Sequence, residues 1–441
     1  MKNILKRLII VLCICALLFS ISGCVKTASL DDAKPLSAKS SYNIDEYEEE
    51  SVKVELETGM AFSEKGSVRF EKNGVDLVDF WEYGSDESKT LYFDGLQKDS
   101  FENVPDYCSA VEFAFEYKNM VYFLRRTYDK QSKKFSHTLY RMTLKGEDIT
   151  KVSTITYNSL MEKYEEEYED FYYFFTGFYN IADVYVQNNS LFFRIYYYDH
   201  SLNLEPEVSM IYKMDLKTGM SQKLLEKNEI CLIGAKCDND FTYLYTEFAY
   251  ESKNQMVTII DNKTGESSEK TYKLDKSKYY YTSGMYNDMI ICTDDTLESV
   301  LLLSTDKEPK TIFNEPRICI NTVYLFDDTL LIKSDSAICY TYNLKTGKLK
   351  KQSRFDEINK AIYKFGDKYI CFIEDQGLKQ KLLEDGMSIS YDTDYIDDLN
   401  DWYFECYYWS KAEDLEANKG KIQKIKNQPI VEGYSYTYPY Y

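Results

Sequence analysis

The chain has 441 residues and a formal net charge of −20 at pH 7, and aromatic residues make up 16% of it, including 43 Tyr. A chain this acidic is repelled by nucleic acid and by anionic lipid headgroups, so neither is expected as a binding partner. The many aromatic residues, together with only 18 Gly and 7 Pro, favour strands joined by short turns and therefore predict an all-β fold.

The first residues have the pattern of a signal peptide. Three cations and no acid precede the apolar run 8–19, which is too short for a permanent membrane-spanning helix. The segment Ile21-Ser22-Gly23-Cys24 resembles the lipobox of bacterial lipoproteins, in which a small residue precedes the cysteine that receives the lipid. The resemblance implies cleavage of the signal peptide 1–23 and lipidation of Cys24, which would hold the mature chain on the outer side of the cell membrane. An uncleaved anchor helix and cleavage at another site are the alternatives.

The segment after Cys24 is predicted to be a flexible tether, residues 24–50. It is rich in Ser, Lys, Asp and Glu and has few apolar residues, so it has little with which to bury a core. Two or three acyl chains, each contributing about 0.8 kcal/mol per buried methylene, are enough to hold a soluble domain on a membrane. The domain is predicted over 51–433. The Tyr-rich end, 434–441, is predicted as a tail that forms either an edge strand or disordered chain.

Eight of the 11 cysteines follow Cys24. Several lie in apolar β-like runs, such as those ending at Cys292, Cys339 and Cys371, where a thiol acts as a small core residue. Disulfides are the alternative in an extracytoplasmic protein. No Cys-x-x-Cys pair occurs, so zinc binding and thioredoxin-like chemistry have no support.

An internal repeat gives the strongest prediction of the fold. The segments 211–219, 257–265 and 340–347 share one plan, a β-rich run followed by a turn that ends in Gly. Glycine there supplies the positive φ that tight hairpins need. Gly219 and Gly265 are 46 positions apart, and the next copies follow at intervals of 41. A period of about 40 to 50 residues with several strands per copy is typical of propeller blades.

A second series of turns, rich in Asn, Asp and Gly, alternates with the first. It comprises Asn73-Gly74, Lys118-Asn119, Asn188-Asn189, Asp238-Asn239, Asn287-Asp288, Asp327-Asp328 and Gly366-Asp367. Four strands per copy and seven copies predict a seven-bladed β-propeller, with six or eight blades, a β-sandwich pair or a β-solenoid as alternatives. The strand 52–57 is predicted to close the ring by pairing with the last blade.

The blades resemble those of the TolB-like and low-density-lipoprotein-receptor-like propellers of bacterial surface lipoproteins. Blades of that kind end in Leu-Tyr-x-x-Asp-Leu-x-x-Gly, and the resemblance covers roughly residues 66–427. It implies the fold and leaves the function open.

The two long insertions are predicted to lie on one face of the ring. In an up-and-down blade, the loop between the second and third strands and the link to the next blade emerge on the same side. The insertions 157–180 and 375–401 both occupy such positions. Because loops on a rigid scaffold concentrate binding residues, the candidate binding face comprises Tyr164, Tyr168, Phe171, Tyr172, Tyr173, His200, Asp392, Asp394, Asp397 and Asp398.

The residue types on this face suggest recognition. Aromatic rings can stack on sugars or anchor a partner protein, and carboxylates can bind cations or basic peptides. Alternatively, the rings pack the loops against the scaffold and the acids solvate them. The four aspartates lack the Gly and Glu spacing of a calcium loop, so no metal site is assigned.

Motifs for catalysis are missing from the sequence. It has two histidines, His137 and His200, and no nucleophile elbow or phosphate-binding glycine loop. We therefore expect a module without a cofactor that binds or scaffolds an envelope protein or glycan. The alternative is a glycan hydrolase that uses paired carboxylates on the same face.

Overall fold

The structure of the protein is a computed structural model in which 276 of the 441 residues are described. These residues are 29–36, 52–56, 58–71, 76–94, 107–129, 132, 134–158, 180–197, 208–248, 255–272, 274, 278–316, 318–334, 339–352, 362–374, 402–411, 422–426, 428 and 431–434. This part of the chain is almost entirely β-structure. The signal peptide, Cys24 and residues 435–441 of the predicted tail lie outside it.

The described strands of the first three blades follow one another in chain order. After β1 (Lys34–Pro35) they are β2 (Lys53–Glu55), β3 (Met60–Phe62), β4 (Gly66–Glu71), β5 (Asp76–Glu82) and β6 (Lys89–Asp94); β7 (Tyr107–Tyr117), β8 (Met120–Asp129), β9 (Lys134–Thr143) and β10 (Thr150–Asn158); and β11 (Asn180–Gln187), β12 (Ser190–Tyr197), β13 (Val208–Asp215) and β14 (Ser221–Asn228). In each blade, strands that are adjacent in sequence pair antiparallel.

The remaining four blades repeat this plan, except that the last two strands of the seventh blade both pair with its third strand. Their strands are β15 (Ile230–Cys237), β16 (Phe241–Phe248), β17 (Met256–Asp261) and β18 (Ser267–Thr271); β19 (Tyr280–Tyr286), β20 (Met289–Asp294), β21 (Ser299–Leu303) and β22 (Lys310–Asn314); β23 (Ile320–Phe326), β24 (Thr329–Ser334), β25 (Cys339–Asn343) and β26 (Leu349–Gln352); and β27 (Ile362–Phe365), β28 (Lys368–Glu374), β29 (Trp402–Lys411), β30 (Gln423–Lys424) and β31 (Val431–Tyr434). The seven sheets confirm the predicted seven-bladed β-propeller.

The first strands of successive blades line the central channel. β11 contacts β15, β15 contacts β19, β19 contacts β23 and β23 contacts β27. Apolar side chains fill the spaces between neighbouring blades, as expected for sheets that cannot cover their own faces alone. Five of the described cysteines are buried, as expected for small core residues: Cys237, Cys292, Cys339, Cys371 and Cys406.

The ring closes by side-chain packing between the first and last blades. Phe62 of β3 lies 4.7 Å from Tyr407 of β29, measured between ring centroids, within a cluster that also holds Met60 and Phe372. The prediction that strand 52–57 pairs with the last blade is wrong, because β2 pairs with β3 instead. Only four residues separate these two strands in sequence, so their pairing requires closure of a much smaller loop.

The N-terminal strand β2 lies inside the ring. It extends the inner edge of the first blade and contacts β7 and β11 of the next two blades. The first blade therefore has five strands, and the predicted assignment of its strands is wrong by one position. Its first full hairpin turns at 63–65, whereas the predicted turn Asn73-Gly74 falls between β4 and β5, outside the described residues.

The other six turns of this Asn-, Asp- and Gly-rich series lie at their predicted positions, each between the first two strands of a blade. Asn188 and Asn189 have φ of 47° and 58°, and Asn287 and Asp288 have φ of 46° and 62°. Such left-handed pairs form the hairpin turns that match strand twist, and Asn and Asp tolerate them best among non-glycine residues.

Residues 29–36 of the predicted tether are packed against the propeller. β1 pairs parallel with β10 at the outer edge of the second blade. Leu30, Ala33 and Leu36 pack against the large core cluster of the first three blades. Three apolar residues spaced three apart are thus enough to hold this part of the tether in place, although the segment as a whole is polar. The other residues of 24–50 lie outside the described part.

Candidate functional site

The strand directions define two faces of the ring. On the loop face, second and third strands join, as at 295–298, and successive blades connect, as at 315–319. The short hairpins, such as those at 188–189 and 216–220, lie on the opposite side, which we call the turn face. Strands β10 and β11, which flank the first insertion, and β28 and β29, which flank the second, end at the loop face. Both insertions therefore leave the scaffold from the predicted side.

The predicted site residues themselves lie outside the described residues. This applies to Tyr164, Tyr168, Phe171, Tyr172, Tyr173, His200, Asp392, Asp394, Asp397 and Asp398, and also to the lipidation site Cys24. The structure places the strand ends from which their segments emerge. Their grouping stays a prediction.

A cavity of about 860 Å³ lies in the central channel. The inner strands of the fifth, sixth and seventh blades surround it, and β2 lies on the side of the first blade. Its lining comprises Lys53, Tyr281, Thr282, Ser283, Gly284, Thr293, Leu297, Cys319, Ile320, Asn321, Thr322, Val323, Tyr324, Leu325 and Tyr363. The cavity reaches the loop face, because Leu297 and Cys319 belong to the connections on that side.

Tyrosine and small polar side chains dominate the wall of this channel cavity. Tyr281, with 54% of its surface exposed, lies at the start of the inner strand of the fifth blade. Of the lining residues named above, Lys53 alone carries a charge at pH 7. Its ammonium lies 3.6 Å from Glu55 and 5.3 Å from the centre of the Tyr363 ring, so this charge is balanced locally. The wall therefore suits a neutral, hydroxyl-rich ligand.

β-bulges bring two polar residues to the cavity wall. The pairing register shifts at Ser283, between Thr282 and Gly284, and at Asn321, between Ile320 and Thr322. Similar shifts occur in the inner strands of the second, third and fourth blades. A bulge bends its strand and redirects one side chain, and here both residues are exposed and line the cavity. Neither residue is among the predicted site residues, although Ser283-Gly284 interrupts the strand's alternation.

The phenols beside the cavity remain protonated at neutral pH. Burial raises the pKa of Tyr363, and the nearby carboxylate of Glu55, which accepts a hydrogen bond from this phenol, raises it further. Burial also raises the pKa of Tyr324 to about 12. Both phenols are thus neutral at pH 7, and the Tyr363 proton is donated to Glu55.

Two carboxyl groups lie where the third, fourth and fifth blades meet. Asp183, at a bulge of β11 with φ of 53°, contacts Arg194 Nε at 2.5 Å and accepts a hydrogen bond from Leu232 N at 3.0 Å. Glu247 accepts a hydrogen bond from Thr282 Oγ1 at 2.8 Å. Burial raises the pKa of Glu247, and the charge of Asp183 adds to the effect. The two acids therefore differ in environment. Asp183 links the third blade to the fourth, and Glu247 links the fourth blade to the fifth.

His137 is fully buried in the second blade. Among the described residues, no group of three or more His, Cys, Asp or Glu is placed to hold a metal ion. Within the same ranges, no helix combines the length and apolar character needed to cross a membrane.

Comparison with known proteins gives weak likenesses. No protein-family model matches the chain, and no curated protein matches it. Prolyl oligopeptidase B from Galerina marginata is 8% identical with a TM-score of 0.46, over 86% of this chain and 51% of that chain. Acylaminoacyl peptidase from Pyrococcus horikoshii is 13% identical with a TM-score of 0.36, over 72% and 46%. YCF48 bound to D1 peptide is 8% identical with a TM-score of 0.38, over 77% and 96%. This chain spans about half the length of the two peptidases.

Proposed function

We propose that this protein is a lipid-anchored, extracytoplasmic binding module that takes a neutral, hydroxyl-rich ligand, such as an envelope glycan, in the channel cavity. The observation that carries the proposal is the composition of the cavity wall, with Tyr281, Tyr324 and Tyr363 beside small hydroxyl and amide side chains. In this proposal the protein is not an enzyme and needs no cofactor.

The size and chemistry of the cavity support this class of ligand. Small-molecule sites typically enclose about 300 to 1,000 Å³, and about 860 Å³ falls within that range. Tyrosine faces stack on the apolar side of a sugar ring, while hydroxyl and amide groups such as those of Ser283 and Asn321 bond its hydroxyls. The signal peptide and Cys24 support a location at the outer surface of the cell membrane, where envelope glycans and envelope proteins are found.

Glycan-array screening of the purified mature chain, followed by calorimetry with the best ligand, tests the proposal. We expect Tyr281→Ala to weaken binding about tenfold, which corresponds to about 1.4 kcal/mol. Tyr279→Ala is the matched control, because Tyr279 is similarly exposed, at 47%, but does not line the cavity. Failure to bind any neutral glycan, or equal losses in the two variants, would refute the assignment.

A glycan hydrolase is the second candidate, favoured by the contrast between Asp183 and Glu247. A carboxyl with a raised pKa, such as that of Glu247, can serve as a general acid in glycoside hydrolysis, which uses a pair of carboxyl groups. If the protein is a hydrolase, Glu247→Gln abolishes the release of reducing ends from envelope glycans without loss of binding. If the unchanged chain releases no reducing ends, the hydrolase is excluded and the proposal of a binding module is retained.

A further inference from the structure

The docked part of the tether forms a short clamp on the turn face of the ring. We call residues 29–36 the anchor clamp. Lys34 N donates to Ile149 O, and Leu36 N donates to Lys151 O, each at 3.1 Å. Both carbonyls lie at the beginning of β10, and β10 begins at the turn face.

The anchor clamp also reaches the third blade. Gly219, in the 216–220 turn of that blade, lies so close to Leu36 that an added Cβ would be 3.1 Å from Leu36 Cδ2. Leu30 and Leu36 are partly buried against the core cluster that the first three blades share. Contacts to two blades and two backbone hydrogen bonds fix the point at which the chain leaves the propeller.

We propose that the anchor clamp orients the propeller on the membrane, with the turn face of the second and third blades toward the bilayer and the loop face away from it. The proposal rests on the lipidation of Cys24 in the proposed function. Beyond the proposed function, it assigns the turn face as the membrane-facing surface and the loop face, where the channel cavity opens, as the outward-facing side. A ligand or partner then reaches the channel cavity from outside the cell.

Chain length supports this orientation. Five residue steps separate Cys24 from Ser29, and an extended chain of this length reaches about 17 Å at most. Strand β10 takes eight steps from Thr150 at the turn face to Asn158 at the loop face, which is about 26 Å. If the loop face rested on the bilayer, Ser29 would lie farther from the lipid than this chain reaches. A tether that ran free from Cys24 to Val52 would reach about 90 Å and leave every orientation open.

The surface beside the anchor clamp is compatible with a bilayer. Met220, in the same turn as Gly219, is the most exposed of the large apolar side chains in the described part of the chain, at 74%. A flexible apolar side chain at this position can contact the headgroup region.

Energy transfer between the protein and a lipid probe tests the orientation. The lipidated full chain is placed in phosphatidylcholine vesicles that contain an acceptor dye on the headgroups, with the exposed Cys319 changed to Ser. A donor dye is attached through Met220→Cys on the turn face or Asp295→Cys on the loop face. We expect transfer from position 220 to exceed transfer from position 295 at least twofold. Equal transfer, or greater transfer from position 295, would overturn the orientation.

Two further variants distinguish the effect of the lipid on Cys24 from the effect of the anchor clamp. Leu30→Asp combined with Leu36→Asp should leave the chain on the vesicles but remove the difference between the two dye positions. Leu349→Asp is the matched control, because it makes the same change at an exposed leucine on the turn face of the sixth blade. Cys24→Ser should release the chain from membranes. Retention of that variant would refute the lipid anchor, and the orientation with it, whereas release together with equal dye transfer would refute the orientation alone.

Discussion

The phenol of Tyr363 donates a hydrogen bond to the carboxylate of Glu55, although 308 positions separate the two residues in sequence. Glu55 belongs to β2, which lies inside the channel, and Tyr363 belongs to the innermost strand of the last blade. This contact joins the two ends of the ring, whose first and last blades share none of the described strands. Packing between Phe62 and Tyr407 reinforces the closure.

Removal of this hydrogen bond should weaken the closed ring. We expect Tyr363→Phe to lower the free energy of unfolding by about 1.5 kcal/mol, because a bond to a charged acceptor contributes about 1.5 to 3 kcal/mol. Urea unfolding of the mature chain measures the change. Tyr281→Phe removes the same hydroxyl at an exposed site of the neighbouring channel wall and should change stability little. Similar losses in both variants would contradict the closing role of Tyr363.

Asp76 lies between the first two blades in a buried ion pair. Its carboxylate contacts Arg125 Nε at 3.2 Å and accepts a hydrogen bond from Val111 N at 2.9 Å. We expect Asp76→Ala to cost about 3 kcal/mol or more, because removal of one partner of a buried pair leaves the other charge poorly compensated. Asp240→Ala, which breaks the exposed pair with Lys263, is the control and should have no measurable effect. Chemical denaturation compares the two variants.

The blade count could be predicted from sequence because turns have a strong local chemistry. Asn188-Asn189 and Asn287-Asp288 mark hairpins, and Gly219 and Gly265 close the next turns of their blades with φ of 74° and 75°. Such residues signal left-handed backbone whatever surrounds them. The same reasoning failed in the first blade, because it predicted the strand 52–57 but not β3, the short strand that pairs with both β2 and β4.

The channel cavity could not be predicted because it depends on contacts between distant segments. Ser283 and Asn321 reach it through bulges, which an alternating pattern does not reveal. Lys53 and Tyr363 meet there only because β2 enters the ring. The sequence instead favours the long insertions as the site. The predicted site residues lie outside the described part, and their part in the site stays a prediction.

His137 should make the stability of the fold sensitive to mild acid. Burial lowers the pKa of this imidazole well below 6.5, and the charge of Arg126 lowers it further. The ring therefore stays neutral in the folded chain at pH values where the unfolded chain takes up a proton. Its effect is absent well above pH 6.5, and as the pH falls below 6.5 the unfolded state is favoured by up to about 1.4 kcal/mol per pH unit.

Replacement of the imidazole tests this sign. We expect His137→Gln to flatten the dependence of the unfolding free energy on pH between 6.5 and 5.5, even if the variant is less stable at every pH. Urea unfolding at a series of pH values gives both slopes. A slope as steep as that of the unchanged chain would mean that other groups take up the proton.

Gly219 and Gly265 provide a matched pair that tests how tightly the 216–220 turn packs against β10 and the anchor clamp. Both end the same turn of successive blades with nearly equal φ, so an alanine at either position meets the same backbone strain of about 1 to 2 kcal/mol. A Cβ at Gly265 has no atom within 4 Å, whereas one at Gly219 would be 2.2 Å from Val152 O and 3.1 Å from Leu36 Cδ2. We therefore expect Gly219→Ala to cost about 1 to 3 kcal/mol more than Gly265→Ala, because neighbouring backbone must move. Urea unfolding gives the two costs, and faster amide hydrogen exchange at Leu36 in Gly219→Ala alone would show that the clamp has loosened. Equal costs and unchanged exchange would mean that the clamp yields without resisting the added methyl group.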